Sequence, residues 1–89
     1  MDKLNDTIQI QDVYLARDLG LCSALYVTPD IRLLRLQYDP SGFWWFVFSN
    51  PPRCEETAKL YWFDSLILKN AKAFNDARKS LMDKLHAQI

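Results

Sequence analysis

Histidine, cysteine and glycine are scarce in this chain, and net charge is absent. One histidine, His86, and two cysteines, Cys22 and Cys54, stand among 89 residues. The cysteines lie 32 positions apart, which matches no zinc-site spacing. Only Gly20 and Gly42 are available, so no glycine-rich phosphate loop can be built. Eleven basic and eleven acidic side chains cancel. A protein that grips phosphates usually carries an excess of Lys and Arg, so neutrality argues against nucleic acid as the first partner to consider. No apolar run approaches the roughly 20 residues of a membrane span. The polar start Met1-Asp2-Lys3-Leu4-Asn5-Asp6 does not read as a signal peptide, which gives the expectation of a cytoplasmic protein with buried free thiols.

What is present is ordinary globular material: 49% of residues are hydrophobic and 25% charged, in one expected domain over residues 1–89. The outstanding stretch is Phe43-Trp44-Trp45-Phe46-Val47-Phe48, five aromatics in six positions. Successive side chains of a strand point to opposite faces, so both faces of this one require cover. Before it runs Ile31 to Tyr38, a second strand, and Asp39-Pro40-Ser41-Gly42 joins the two as a tight turn. Pro40 presets a negative φ and Gly42 can take the left-handed position that follows.

With Tyr38 opposite Phe43, the hairpin has two distinct faces. Leu34, Leu36, Tyr38, Phe43, Trp45 and Val47 form a wholly apolar core face. Leu33, Arg35, Gln37, Trp44, Phe46 and Phe48 form the other. A change of one residue in loop register would exchange these partners.

Elsewhere, Thr7-Ile8-Gln9-Ile10 alternates like a short edge strand. Asp12 is the expected cap of a helix from Val13 to about Ala24, weakened at Gly20 and ended by Thr28-Pro29-Asp30. Asn50 and Pro51 open a second helix, with Glu55 and Glu56 expected in its first turn and Ala58, Tyr61 and Trp62 on its apolar stripe. It runs to about Ser65. Leu66-Ile67-Leu68 reads either as helical continuation or as a third strand. Asn70 caps a last helix whose stripe is Phe74, Ala77, Leu81, Leu85 and Ile89. Lys72 with Asp76 and Lys79 with Asp83 are spaced for i, i+4 pairs on its solvated face. The expected fold is therefore α+β: an antiparallel β-hairpin, extended to three strands in one reading, packed with three α-helices.

Asp12-Val13-Tyr14-Leu15-Ala16, the strand end Phe46-Val47-Phe48, the Ser49-Asn50 break, Tyr61-Trp62 and the Ala/Leu-rich last helix together resemble a small prokaryotic domain family of unknown function, DUF5659. The resemblance covers roughly residues 10 to 85. Thr28-Pro29-Asp30 and the doubled tryptophan depart from its pattern. It implies a small stand-alone protein encoded in a phage or other mobile element, a setting compatible with an inhibitor of host defence. It implies no activity.

Two binding readings follow from the residues. In the first, Trp44, Phe46 and Phe48 form an apolar patch with Arg35 at its edge, for a protein partner or a second copy of the chain. Trp and Arg are enriched at binding hot spots. The competing reading makes all five aromatics core. In the second, the same aromatics stack on bases while Arg32, Arg35, Arg53 and Lys69 track phosphates.

Enzyme chemistry finds little support. His86 reads as a solvated helix-end residue, and Glu55 and Glu56 point about 100° apart on a helix rather than forming a dyad. Cys54 near a helix start could have a lowered pKa, yet it has no His or redox-spaced Cys beside it. The expectation is a non-enzymatic module with no cofactor, no metal and no small-molecule substrate.

Overall fold

The computed structural model describes residues 7–10, 12–62 and 71–88. The elements run β1 (Thr7–Ile10), β2 (Val13–Ala16), α1 (Leu19–Tyr26), β3 (Leu33–Tyr38), β4 (Trp44–Phe48), α2 (Pro51–Trp62) and α3 (Ala71–Gln88). The four strands form one antiparallel sheet in the order β1-β2-β4-β3. The fold is α+β, with the expected hairpin at one side of a larger sheet. Leu66-Ile67-Leu68 and the Asn70 cap lie outside the described residues.

The first helix begins later than its periodicity indicates. Val13-Tyr14-Leu15-Ala16 is a strand, and Asp12 stands exposed in the turn before it instead of capping a helix. Four consecutive apolar residues are compatible with either state, and non-local pairing decides. Tyr14 pairs with Phe48, Leu15 with Val47 and Ala16 with Phe46, so β2 is buried on both faces between two neighbours. The helix starts only at Leu19, where the Asp18 carboxylate accepts the Leu21 N–H at 2.9 Å. Gly20 fits this first turn because the Tyr61 hydroxyl occupies the space a β-carbon would take.

α1 is short and buried from Leu21 to Leu25. Ser23, enclosed with it, is satisfied by donating its hydroxyl to the Leu19 carbonyl at 2.8 Å. α2 begins at Pro51 as expected, but its cap is built differently. Asn50 adopts a left-handed φ of 58°, its carbonyl accepts the Cys54 N–H, and its side-chain amide donates to the Asp30 carbonyl at 3.1 Å. Asp30 is also left-handed, with φ 73°. This bond ties the α1–β3 connection to the β4–α2 connection. Glu55 and Glu56 fall past the first turn of α2, where Glu56 pairs with Arg53. In α3 the stripe holds: Ala77 and Leu81 are buried, Phe74 and Leu85 half-buried, and Lys72 meets Asp76 at 3.0 Å.

The main core lies where the helices meet the sheet. Tyr14, Ala16, Phe46 and Phe48 supply its sheet side, against Leu21 and Leu25 of α1, Cys54 and Ala58 of α2, and Leu81 of α3. A smaller cluster of Leu15, Trp45 and Val47 occupies the other face. Both faces of β4 are thus covered, as an over-aromatic strand demands.

Candidate interaction surface

The geometry of the hairpin is set at its turn. Asp39 donates its N–H to the Phe43 carbonyl at 2.7 Å and accepts the Gly42 N–H at 2.8 Å. Gly42 has φ 103°, open only to glycine at low cost. The loop is therefore three residues, Pro40-Ser41-Gly42, closed by the pair Asp39 and Phe43. Tyr38 then stands opposite Trp44, Gln37 opposite Trp45, Leu36 opposite Phe46 and Arg35 opposite Val47. This is one residue away from the expected pairing of Tyr38 with Phe43. The slip exchanges the faces of β3 relative to β4.

The Asp39 side chain fastens the turn. One oxygen accepts the Ser41 N–H at 2.9 Å and the other accepts the Trp45 indole N–H at 3.1 Å. These bonds, the Ser41 backbone bond first, hold the carboxyl below the ordinary carboxylate value. Across it the Arg17 guanidinium lies 4.2 Å from the Phe43 ring centre and 5.2 Å from that of Trp45.

The expected patch is not assembled. Phe46 and Phe48 are 2% and 0% exposed and belong to the main core, so neither can meet a partner. The reason is strand order: β4 is flanked by β2 and β3, and its helix-side residues face α1 and α2 rather than solvent. Trp44 is half-buried and stacks edge-on against Tyr38 with ring centres 5.1 Å apart. Arg35 is exposed but on the opposite face from Trp44, where it reaches the Gln37 side chain at 3.4 Å.

The cations of the nucleic-acid reading do not converge either. Arg32 and Arg35 are on or beside β3, Arg53 is on α2 engaged with Glu56, and Lys69 lies outside the described residues. Cys54 is buried and free, as is Cys22. Burial pushes the Cys54 thiol up to about 12, opposite to the lowering expected at a helix start. Burial likewise raises Cys22 well above its ordinary value, with Asp18 and Cys54 adding to the effect. Tyr61 and Trp62 stack on each other at 5.0 Å and pack against the core.

What the fold leaves open is the outer side of β3. Among the described residues β3 has a neighbour only in β4. Its Leu34 is 45% exposed and its Tyr38 56%. Beside it, an open groove of about 450 Å³ is lined by Leu33, Leu34, Arg35, Leu36, Lys84, Ala87 and Gln88. One wall is the edge strand and the other is the last turns of α3. Phe43, 48% exposed, is apart from this groove at the hairpin end under Arg17. Leu34 and Tyr38 were expected in the core. Gly42 carried the signal that would have placed them outside, because a left-handed glycine ending a three-residue loop fixes this register.

Among the described residues no three His, Cys, Asp or Glu side chains are grouped to hold a metal ion, and no helix is long and apolar enough to cross a membrane. No protein-family model, curated protein or solved structure matches the chain.

Proposed function

We propose that this chain is a non-enzymatic protein-interaction module that docks through the outer side of β3. Leu34 and Tyr38 supply the apolar contact, with the Trp44 ring edge-on beside Tyr38 and Arg35 on the other face of the strand. The carrying observation is the exposure of these two large side chains on a strand whose outer edge has no neighbour among the described residues, beside a groove. Exposed apolar surface collected at one place marks interaction sites, and an unpaired strand offers backbone donors and acceptors to another chain. The resemblance to a small stand-alone prokaryotic domain family agrees with an accessory role in a phage or mobile element.

The test is affinity capture from nuclease-treated bacterial lysate with wild type and with a Leu34→Ser/Tyr38→Ser variant, both shown to be folded by circular dichroism. Proteins retained by wild type and lost by the variant support the surface. Equal retention by both overturns it.

A further inference from the structure

We infer that the β3–α3 groove accepts an extended acidic segment of another protein, added alongside β3 as a fifth strand. This rests on β3 being the docking edge, and it names the occupant. The backbone comes first. Asp39 points its N–H inward to Phe43, and inward and outward residues alternate along an antiparallel strand. Arg35 and Gln37 therefore bond to β4, while the N–H and C=O of Leu36 and Tyr38 face outward. A second segment of chain can pair with them.

The pairing has a natural limit. The β3–β4 register is interrupted between Leu33 and Arg35, leaving Leu34 as the extra residue of a bulge. Bulges at sheet edges bend the strand and end regular pairing. The regular stretch is Arg35 to Tyr38, which suits a short segment better than a long sheet extension.

Side-chain chemistry then selects the segment. An added strand presents alternate side chains to the two faces. On the helix side they meet the groove, where Leu33, Leu34, Leu36 and Ala87 offer apolar walls and Lys84 a cation. On the other side they meet Arg35. The lining holds two cations, Arg35 and Lys84, and no carboxylate. Arg32, just before β3, is exposed and adds a third positive charge near the edge. An apolar residue in the groove alternating with acidic residues toward Arg35 matches the two faces, and the negative charge of the segment as a whole is attracted to Lys84 in the groove lining. A second copy of the chain would bring Arg35 and Lys84 again and has no acidic residue within its own β3 to alternate with apolar ones.

Three labelled peptides followed by fluorescence anisotropy test this. The first is acetyl-Glu-Ile-Glu-Ile-Glu-Ile-amide, the second replaces each Glu by Lys, and the third is the acidic peptide N-methylated at alternate residues. The acidic peptide is expected to bind, the lysine peptide to bind far more weakly, and the N-methylated peptide to lose binding through loss of backbone pairing. Arg35→Glu and Lys84→Glu, both at exposed positions, are each expected to weaken the acidic peptide about fivefold. Equal binding of acidic and lysine peptides, or no effect of either charge reversal, overturns the assignment.

Sedimentation of the wild-type chain separates the remaining outcomes. A dimer that Leu34→Ser/Tyr38→Ser converts to monomer means that a second copy occupies the edge, which overturns the acidic segment and keeps the docking edge. Absence of peptide binding while lysate proteins are still lost by that variant overturns the acidic class alone. Absence of both defeats the docking edge as well.

Discussion

β3 and β4 are the two arms of one hairpin and are both rich in apolar residues, yet they meet opposite fates. Trp45, Phe46, Val47 and Phe48 of β4 are all buried, whereas Leu34, Arg35, Gln37 and Tyr38 of β3 are exposed. Hydrophobicity alone does not separate Leu34 from Val47. Position in the sheet does. β4 has a strand on either side, helices over one face and a second apolar cluster on the other. Among the described residues β3 has one neighbour, and a groove lies beside it. An apolar residue on a central strand is a structural element, and the same residue on an edge becomes available to a partner.

The contrast is sharpest in stability. Phe48 is fully enclosed, so Phe48→Ala is expected to cost about 3–5 kcal/mol, enough to unfold much of a small domain. Chemical denaturation checks it, and a loss below about 1 kcal/mol would place Phe48 at the surface instead.

A second measurement sharpens the buried side. Cys54 shares the Phe48 core, and its thiol stays protonated in the folded state to about pH 12, against an ordinary value of 9.0. A group whose folded pKa is raised contributes stability that is complete below the unfolded value. That contribution is lost as pH rises toward the folded one. Each such thiol should make stability fall by about 1.4 kcal/mol per pH unit above pH 9. Under reducing conditions Cys54→Ala should therefore show a shallower alkaline decline than wild type. Equal slopes would mean that the thiol ionises in place.

The smallest effect is expected on β3. Tyr38→Ser should cost about 1 kcal/mol, because the side chain is 56% exposed and loses mainly its edge-on contact with Trp44. A cost near that of Phe48→Ala would erase the distinction between the arms.

Several local features were legible in the residues themselves. Pro40 and Gly42 placed the hairpin turn, Asn50-Pro51 placed the start of α2, and the spacing of Phe74, Ala77, Leu81 and Leu85 placed the buried stripe of α3. Each depends on groups within a few residues of one another. The candidate surface was only partly legible. Arg35 and Trp44 do lie at or near the surface, but Phe46 and Phe48 do not, because β4 lies inside the sheet with the helices over that face, while the one-residue difference in pairing re-sorted the residues of β3. A slip of one is a small change in a loop and a complete exchange of faces in a strand.

The sequence by itself determined an α+β domain with an aromatic hairpin, since turn chemistry and side-chain periodicity are local properties. Only the tertiary structure decided that Val13–Ala16 joins the sheet, that β4 lies inside it, and that Leu34 and Tyr38 remain outside. Those outcomes depend on which distant segments pair, as Tyr14 with Phe48 and Leu15 with Val47, and the energy of such pairing comes from burial that no single segment possesses alone.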